Sequence, residues 1–170
     1  MSTKSFVKSL LVFAFLCCLA GALAQQPAAS LYLIPYGPPV SVDTARKAAA
    51  AALTEARKNN WYMAVAVVDP SGDLVYYEKM DNTQLGSAKV SINKARSAAL
   101  FKRPTKAFQD AVAGGGAGLR VLGLEGAVPV EGGLPLIVDG KIIGAIGLSG
   151  DLSEHDAQCA KAGADAVQKP

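Results

Sequence analysis

Residues 131–150, Glu-Gly-Gly-Leu-Pro-Leu-Ile-Val-Asp-Gly-Lys-Ile-Ile-Gly-Ala-Ile-Gly-Leu-Ser-Gly, constrain the fold more than any other stretch of the chain. Two apolar runs rich in Ile, Val and Leu flank Asp139-Gly140, a dipeptide suited to a two-residue turn whose central residues need positive φ. The stretch therefore predicts a β-hairpin. Glycines at 132, 133, 144, 147 and 150 are too many for strands that only fill a core, because each costs backbone entropy and removes a packing side chain. Something approaches the backbone there: a helix, a neighbouring subunit or a ligand, and the sequence leaves all three open.

The rest of the chain supplies elements to lie against that hairpin. Ser41 offers an N-cap, Asp43 suits the helix dipole, and Val42, Ala45, Ala49, Ala52, Leu53 and Ala56 form an apolar stripe, which predicts a helix over 42–58 ending at Asn59-Asn60. Met63 to Val68 has strand character, Asp69-Pro70-Ser71-Gly72 suits a type I turn, and Leu74 to Lys79 is the returning strand. Gly86 to Phe101 carries Ala88, Ile92, Ala95 and Ala99 at helical spacing, with Lys89, Asn93, Lys94 and Arg96 on other faces, and Pro104 stops it. Thr105 is placed to cap a short helix through Val112 that ends at Gly114-Gly115-Gly116. Leu119 to Leu124 reads as helical or extended, and Val128-Pro129-Val130 leads into the hairpin. A last helix starts at Ser153, with Asp156 placed for a capping box and Ala157, Ala160, Ala164 and Val167 on its inner face. Two hairpins with helices between and after them predict an α+β domain over 41–170, an antiparallel sheet covered by helices, without repeat or second domain.

Residues 1–24 read as a secretory signal peptide, with Lys4 and Lys8 at the start, an apolar middle from Leu10 to Leu19, and the cleavage pattern Ala22-Leu23-Ala24. The mature protein would begin near Gln25 and be exported, to the periplasm or the medium. A leader follows over 25–40, in which Pro27, Pro35, Pro38 and Pro39 confine any strand to an edge; it serves as a linker or as an arm on a neighbouring subunit. Loss of Lys4 and Lys8 lowers the formal charge from +3 to +1, which gives nucleic-acid binding no electrostatic support. Cys159 is then the sole cysteine, so the core or association carries stability without an internal disulfide.

The motifs that carry chemistry are sparse. Gly114-Gly115-Gly116-Ala117-Gly118 lacks the Gly-Lys-Ser/Thr ending of a phosphate loop and follows a helix, so a connection or a loop over a pocket is the better reading. His155 and Cys159 share one helix face at a spacing of four, too few ligands for a structural zinc site. At a helix N-terminus the dipole disfavours an imidazolium at His155 and keeps a lone pair free for a metal such as iron. Asp69, Asp139 and Asp156 fit turn and cap roles, whereas Glu131 and Asp81 are less readily explained as structural. Lys94, Arg96, Arg103 and Lys106 form a basic group that suits a carboxylate or a solvated face.

Together these pieces resemble a known family. Val65-Ala66-Val67-Val68-Asp69 with Gly72, Lys79-Met80-Asp81, Lys94-Ala95, Arg103-Pro104-Thr105, Gly132-Gly133-Leu134-Pro135, Asp139-Gly140, Ile143 to Gly150 and Asp156 are similar to the GlcG/HbpS-like haem-binding proteins, which share their domain with the C-terminal part of PduO-type adenosyltransferases. The resemblance covers nearly all of 42–168. It implies a profilin-like antiparallel sheet of about five strands with helices on its faces. It also implies a homo-oligomer, often an octamer, and for exported members haem binding with redox or haem sensing beside a membrane partner. The early histidines through which some members hold iron have no counterpart here. Haem would then be met by His155 or Met80 at the iron and by Lys94 or Arg103 at the propionates, with Gly132-Gly133 bordering the pocket beside Glu131. Two alternatives remain. One is a cofactor-free enzyme on a small organic acid, with Glu131 or Asp81 moving the proton and Lys94 holding the carboxylate; the other is an assembly protein without its own ligand.

Overall fold

The computed structural model describes residues 31–168; the expected signal peptide and the first part of the leader lie outside them. After a 3-10 turn, Leu31–Leu33, the elements in order are α1 (Val42–Lys58), β1 (Ala64–Val68), β2 (Leu74–Lys79), α2 (Ser87–Leu100), α3 (Lys106–Ala113), a 3-10 segment (Gly116–Gly123), β3 (Gly133–Val138), β4 (Lys141–Ser149) and α4 (Ser153–Gln168). Among the described residues no helix is long and apolar enough to cross a membrane.

The strands form one antiparallel sheet in the order β2-β1-β4-β3. β1 is buried at every position because it lies between two strands and is covered on both faces. Alternation then divides the core. Val65, Val67, Ile146 and Leu148 face α1 and α4, whereas Ala66, Val68 and Ala145 face the Ala95, Ala98 and Ala99 stripe of α2. Both hairpin turns form as their residues require. Asp139 and Gly140 take φ of 49° and 70°. At the other turn the Asp69 carboxylate accepts the N–H groups of Ser71 and Asp73 at 2.8 and 3.0 Å.

Small residues set the layer spacing. α1 buries five alanines with Leu53, and the Ser41 hydroxyl caps it by accepting the Thr44 N–H at 3.2 Å. Gly147 faces α2, where a Cβ would run into the Ser91 carbonyl and Ala95. Gly163 of α4 seats that helix over Ile146 and Ala48. Gly147 of β4 thus admits α2, while α4 brings its own glycine to the opposite face.

The sheet has four strands where about five were expected. Val128-Pro129-Val130 is irregular, and the leader stops at a single parallel bridge, Tyr36 to Ile142. Pro35, Pro38 and Pro39 explain that limit, since each lacks an N–H. The leader nonetheless covers the start of β4 that β1 leaves unpaired: Gly37 N–H donates to the Ile142 carbonyl at 2.8 Å and Ile142 N–H to that of Pro35 at 2.9 Å. It lies on its own chain. Tyr36 donates to the Ala99 carbonyl at 2.9 Å, and the Lys102 ammonium donates to the Ile34 carbonyl at 2.9 Å.

β3 is an edge strand, with β2 at the opposite edge of the sheet. Thr105, expected to cap α3, instead turns its hydroxyl to the Gly133 N–H at 2.9 Å, and its own N–H donates to the Gly133 carbonyl at 3.0 Å. Gly133 therefore points off the sheet, and two residues on so does Pro135, the position an edge strand can give to a residue without N–H. A register shift follows between Leu136 and Ile137.

Candidate functional site

A groove with a volume of about 450 Å³ lies between α3 and the 3-10 segment. The glycine run builds it. Gly115 and Gly116 take φ of 66° and 53°, which turns the chain back on α3, and Gly118 sits so close to the Ala111 backbone that a Cβ would overlap it. Ala107, Ala111, Val121 and Leu124 give the groove apolar walls, Phe108 its floor, and Arg103 and Arg120 its charge. A phosphate loop is thereby replaced by a loop over a pocket.

Both arginines are oriented. Lys102, at φ 52°, redirects the chain after α2, and Arg103 Nε then donates to the Phe101 carbonyl at 2.9 Å. Its guanidinium lies 4.0 Å from the Tyr32 ring centroid and 5.0 Å from that of Phe108, held between two aromatic faces. Phe108 itself meets Phe101 edge to face at 5.3 Å. Arg120 Nε donates to the Ala117 carbonyl at 2.8 Å, leaving its terminal nitrogens toward solvent and the groove. Planar, apolar molecules with carboxylate arms match this arrangement, because the walls desolvate the plane and the guanidinium forks pair with carboxylates.

The other expected site residues lie elsewhere. Lys94 is buried on α2 with its ammonium 2.7 Å from the Asp156 carboxylate, and the two side chains are 1% and 3% exposed. Its charge is committed to Asp156, and its burial closes it to propionates. Asp156 forms no capping box with Ser153; it turns beneath the end of the sheet, and its second oxygen accepts the Asp151 N–H at 3.4 Å. Burial pushes its carboxyl up against the opposing pull of Lys94. Gly132 covers this pair rather than the groove, since at φ 121° its Cβ would stand 2.7 Å from Asp156 Cβ and 2.9 Å from Lys94 Nζ, and Gly133 packs on the Lys94 backbone carbonyl and Thr105.

His155 stacks on Trp61 with ring centroids 3.9 Å apart and planes 11° from parallel, and its Nδ1 lies 3.3 Å from the Asp151 carboxylate. Met80 is half-buried, and its sulfur accepts the Met63 N–H at 3.5 Å. Asp81 lines a polar groove of about 340 Å³ with Arg57, Tyr62 and Met80. Glu131 lines a third groove of about 360 Å³, where Leu134, Pro135 and Ile137 of the β3 edge meet α4, and its N–H donates to the Gln109 side chain at 2.8 Å. The acids proposed for proton transfer thus sit in different grooves, and Lys94 is in neither.

Of the residues expected to contact a ligand or do chemistry, Arg103 alone stands in the main groove, beside Ala117 and Gly118 of the glycine run. Arg120, Phe108 and Tyr32 were missed. The signal available for Arg120 was its place in the middle of the piece after the glycine run, and it needed the knowledge that this piece folds back onto α3. Among the described residues no cluster of three or more His, Cys, Asp or Glu could hold a metal ion. Haem fits the main groove in part: the apolar walls and the two guanidinium groups suit its macrocycle and propionates, while the groove carries no imidazole, thioether or thiolate.

Comparison with known proteins bears on this site. The family model described as haem degrading protein, HbpS-like, matches residues 40–165. The chain is 42% identical over 100 residues to protein GlcG of Escherichia coli strain K12, spanning 59% of this chain and 73% of that protein. The crystal structure of Klebsiella pneumoniae protein ORFY superposes with a TM-score of 0.71 at 31% identity, covering 77% of this chain and 92% of ORFY. The crystal structure of a PduOC:haem complex superposes with a TM-score of 0.68 at 27% identity, covering 76% of this chain and 95% of that one.

Proposed function

The chain belongs to the HbpS-like family, and on that premise we propose that it binds haem in the groove between α3 and the 3-10 segment. One observation carries the reading: the groove joins apolar walls to two arginines, Arg103 and Arg120, each oriented by a backbone carbonyl before any ligand arrives. Pre-set guanidinium groups lose little freedom on pairing with propionates. Phe108, Val121 and Leu124 supply the surface that excludes water from the macrocycle. Bound haem supplies a redox-active iron. The solved PduOC:haem complex supports the assignment at the level of the family.

Titration with hemin tests it. A saturable shift of the Soret band at one haem per chain is the expected result, with Arg103→Ala/Arg120→Ala weakening binding about 10- to 100-fold, the range of one to two charge-assisted contacts. An unchanged free-hemin spectrum at stoichiometric protein rejects the reading.

The fuller role we propose is an exported, homo-oligomeric haem protein, an octamer in its fullest form, that reports haem or redox state to a membrane partner. Export rests on the pattern of residues 1–24, and a secreted product beginning near Gln25 is its test. Assembly has a ready surface in the apolar groove at β3 and α4, and the mass of the native protein in solution decides it.

A further inference from the structure

The leader meets the domain through a matched pair of contacts. Tyr32 and Tyr36 stand one on each side of Pro35, and Lys102 and Arg103 are neighbours just past the end of α2. The Lys102 ammonium lies 4.3 Å from the Tyr36 ring centroid, and the Arg103 guanidinium 4.0 Å from that of Tyr32. The stretch 34–40 is seated by backbone bonds as well. Lys102 donates to the Ile34 carbonyl and Tyr36 to that of Ala99, both at 2.9 Å, while the Gly37 and Val40 N–H groups donate to the Ile142 and Ile143 carbonyls at 2.8 Å. Before Ile34 the 3-10 turn reaches the domain at Arg103, with Tyr32 and Leu33 54% and 82% exposed. These contacts precede residue 40, where the match to the family model begins.

The same contacts leave Arg103 open on one side. Tyr32 and Phe108 take the two faces of its guanidinium, and Nε is committed to the Phe101 carbonyl. Among the described residues no carboxylate pairs with it. What remains is the edge that carries the terminal nitrogens, the part of the fork that takes a carboxylate. An arginine without such a sandwich would have to give up rotamer freedom to make that pair.

Resting on the proposed ligand groove, we infer that Tyr32 is a positioning residue for it: the leader, anchored at Lys102 and Tyr36, lays the Tyr32 ring over Arg103 and holds the open guanidinium edge ready for a carboxylate of the ligand. The class of ligand this favours is a planar apolar molecule with a free carboxylate. Tyr32 acts through Arg103, and the seat of the leader acts through Tyr32. The leader is then a working part of the site, and its prolines, which stop it from becoming a strand, keep it at the length that reaches the groove.

Fluorescence titration of the full chain with metal-free protoporphyrin IX and with its dimethyl ester tests this, because the two probes share a macrocycle and differ in their carboxylates. The native protein should bind the free acid more tightly. Tyr32→Ala and Tyr32→Leu should each weaken the free acid about three- to tenfold and leave the ester within about twofold. Tyr32→Phe should keep the native affinity for both, since the ring face and not the hydroxyl is used. Lys102→Met, at a residue that does not line the groove, should weaken the free acid in the same way by unseating the leader. Tyr32→Ala added to Arg103→Ala should change nothing further, as expected of a residue that acts through Arg103. Equal losses for acid and ester, a further loss in the Arg103→Ala background, or native affinity in Tyr32→Ala overturns the inference while leaving the groove as the site. Failure of either porphyrin to bind saturably removes the ligand reading of the groove itself, and the inference with it.

Discussion

Lys94→Met should destabilise the protein by an amount that shrinks as the pH is lowered. In the native chain the Lys94 ammonium and the Asp156 carboxylate meet at 2.7 Å with 1% and 3% of their side chains exposed. Breaking a pair so placed costs about 3–5 kcal/mol, because the remaining charge is buried without its partner. Asp156 left without its partner has an escape: it can take up a proton. Its ordinary pKa is 3.8 and burial already raises it. Holding it neutral in the folded variant at pH 7 costs about 4 kcal/mol relative to an unfolded chain, since each pH unit above the unfolded value is about 1.4 kcal/mol. At pH 5 the same step costs about 2 kcal/mol.

The sign follows from the direction of the shift. A raised folded pKa gives stability that is complete below 3.8 and is lost as the pH rises through the folded value. Urea unfolding of native protein and Lys94→Met at pH 5 and pH 7, at one protein concentration, measures the difference. The double variant Lys94→Met/Asp156→Leu should recover to within about 1–2 kcal/mol of the native protein, because it leaves no buried charge. A penalty for Lys94→Met that is equal at both pH values, or a double variant as unstable as the single one, would refute the reasoning.

Other consequences follow from the same packing. Gly147→Val should destabilise by about 3 kcal/mol or more in urea, since its side chain enters the space of the Ser91 carbonyl and Ala95. Ser41→Ala should cost about 1 kcal/mol by removing the cap of α1, read as a lowered midpoint at unchanged slope. Cys159, buried and with its thiol pushed up to about 12, should resist a thiol reagent at pH 8 in the folded protein and react fully in denaturant; ready labelling of the folded chain would contradict its placement.

Periodicity made the frame legible. The alanine stripe of α1, the Asp139-Gly140 turn and the continuous apolar run of β1 each carry a signal local to a few residues, and α1 and β2 lie over 42–58 and 74–79 as read. The site was harder to read because its geometry depends on distant contacts. Lys94 sits among polar neighbours at a spacing that reads as an outer face, and only Asp156, 62 residues on, accounts for its burial. Thr105 looked like a cap because local rules cannot see Gly133, 28 residues away. The resemblance implied about five strands and the sheet has four; the leader does approach it, but three prolines stop the ladder after one bridge.

The β3 edge has a consequence for how this protein behaves at high concentration. Exposed edge strands are templates on which other chains add, the first step toward fibrils. Here Gly133 has already given both backbone groups to Thr105, Pro135 has no N–H to offer, and the register shift at Leu136 and Ile137 bends what is left. A chain arriving at this edge finds no regular ladder to extend. The apolar groove beside it offers side chains to a second copy, yet the β3 edge cannot be extended as a ladder, so any association at this edge stays finite where an open edge would let it grow into a fibre.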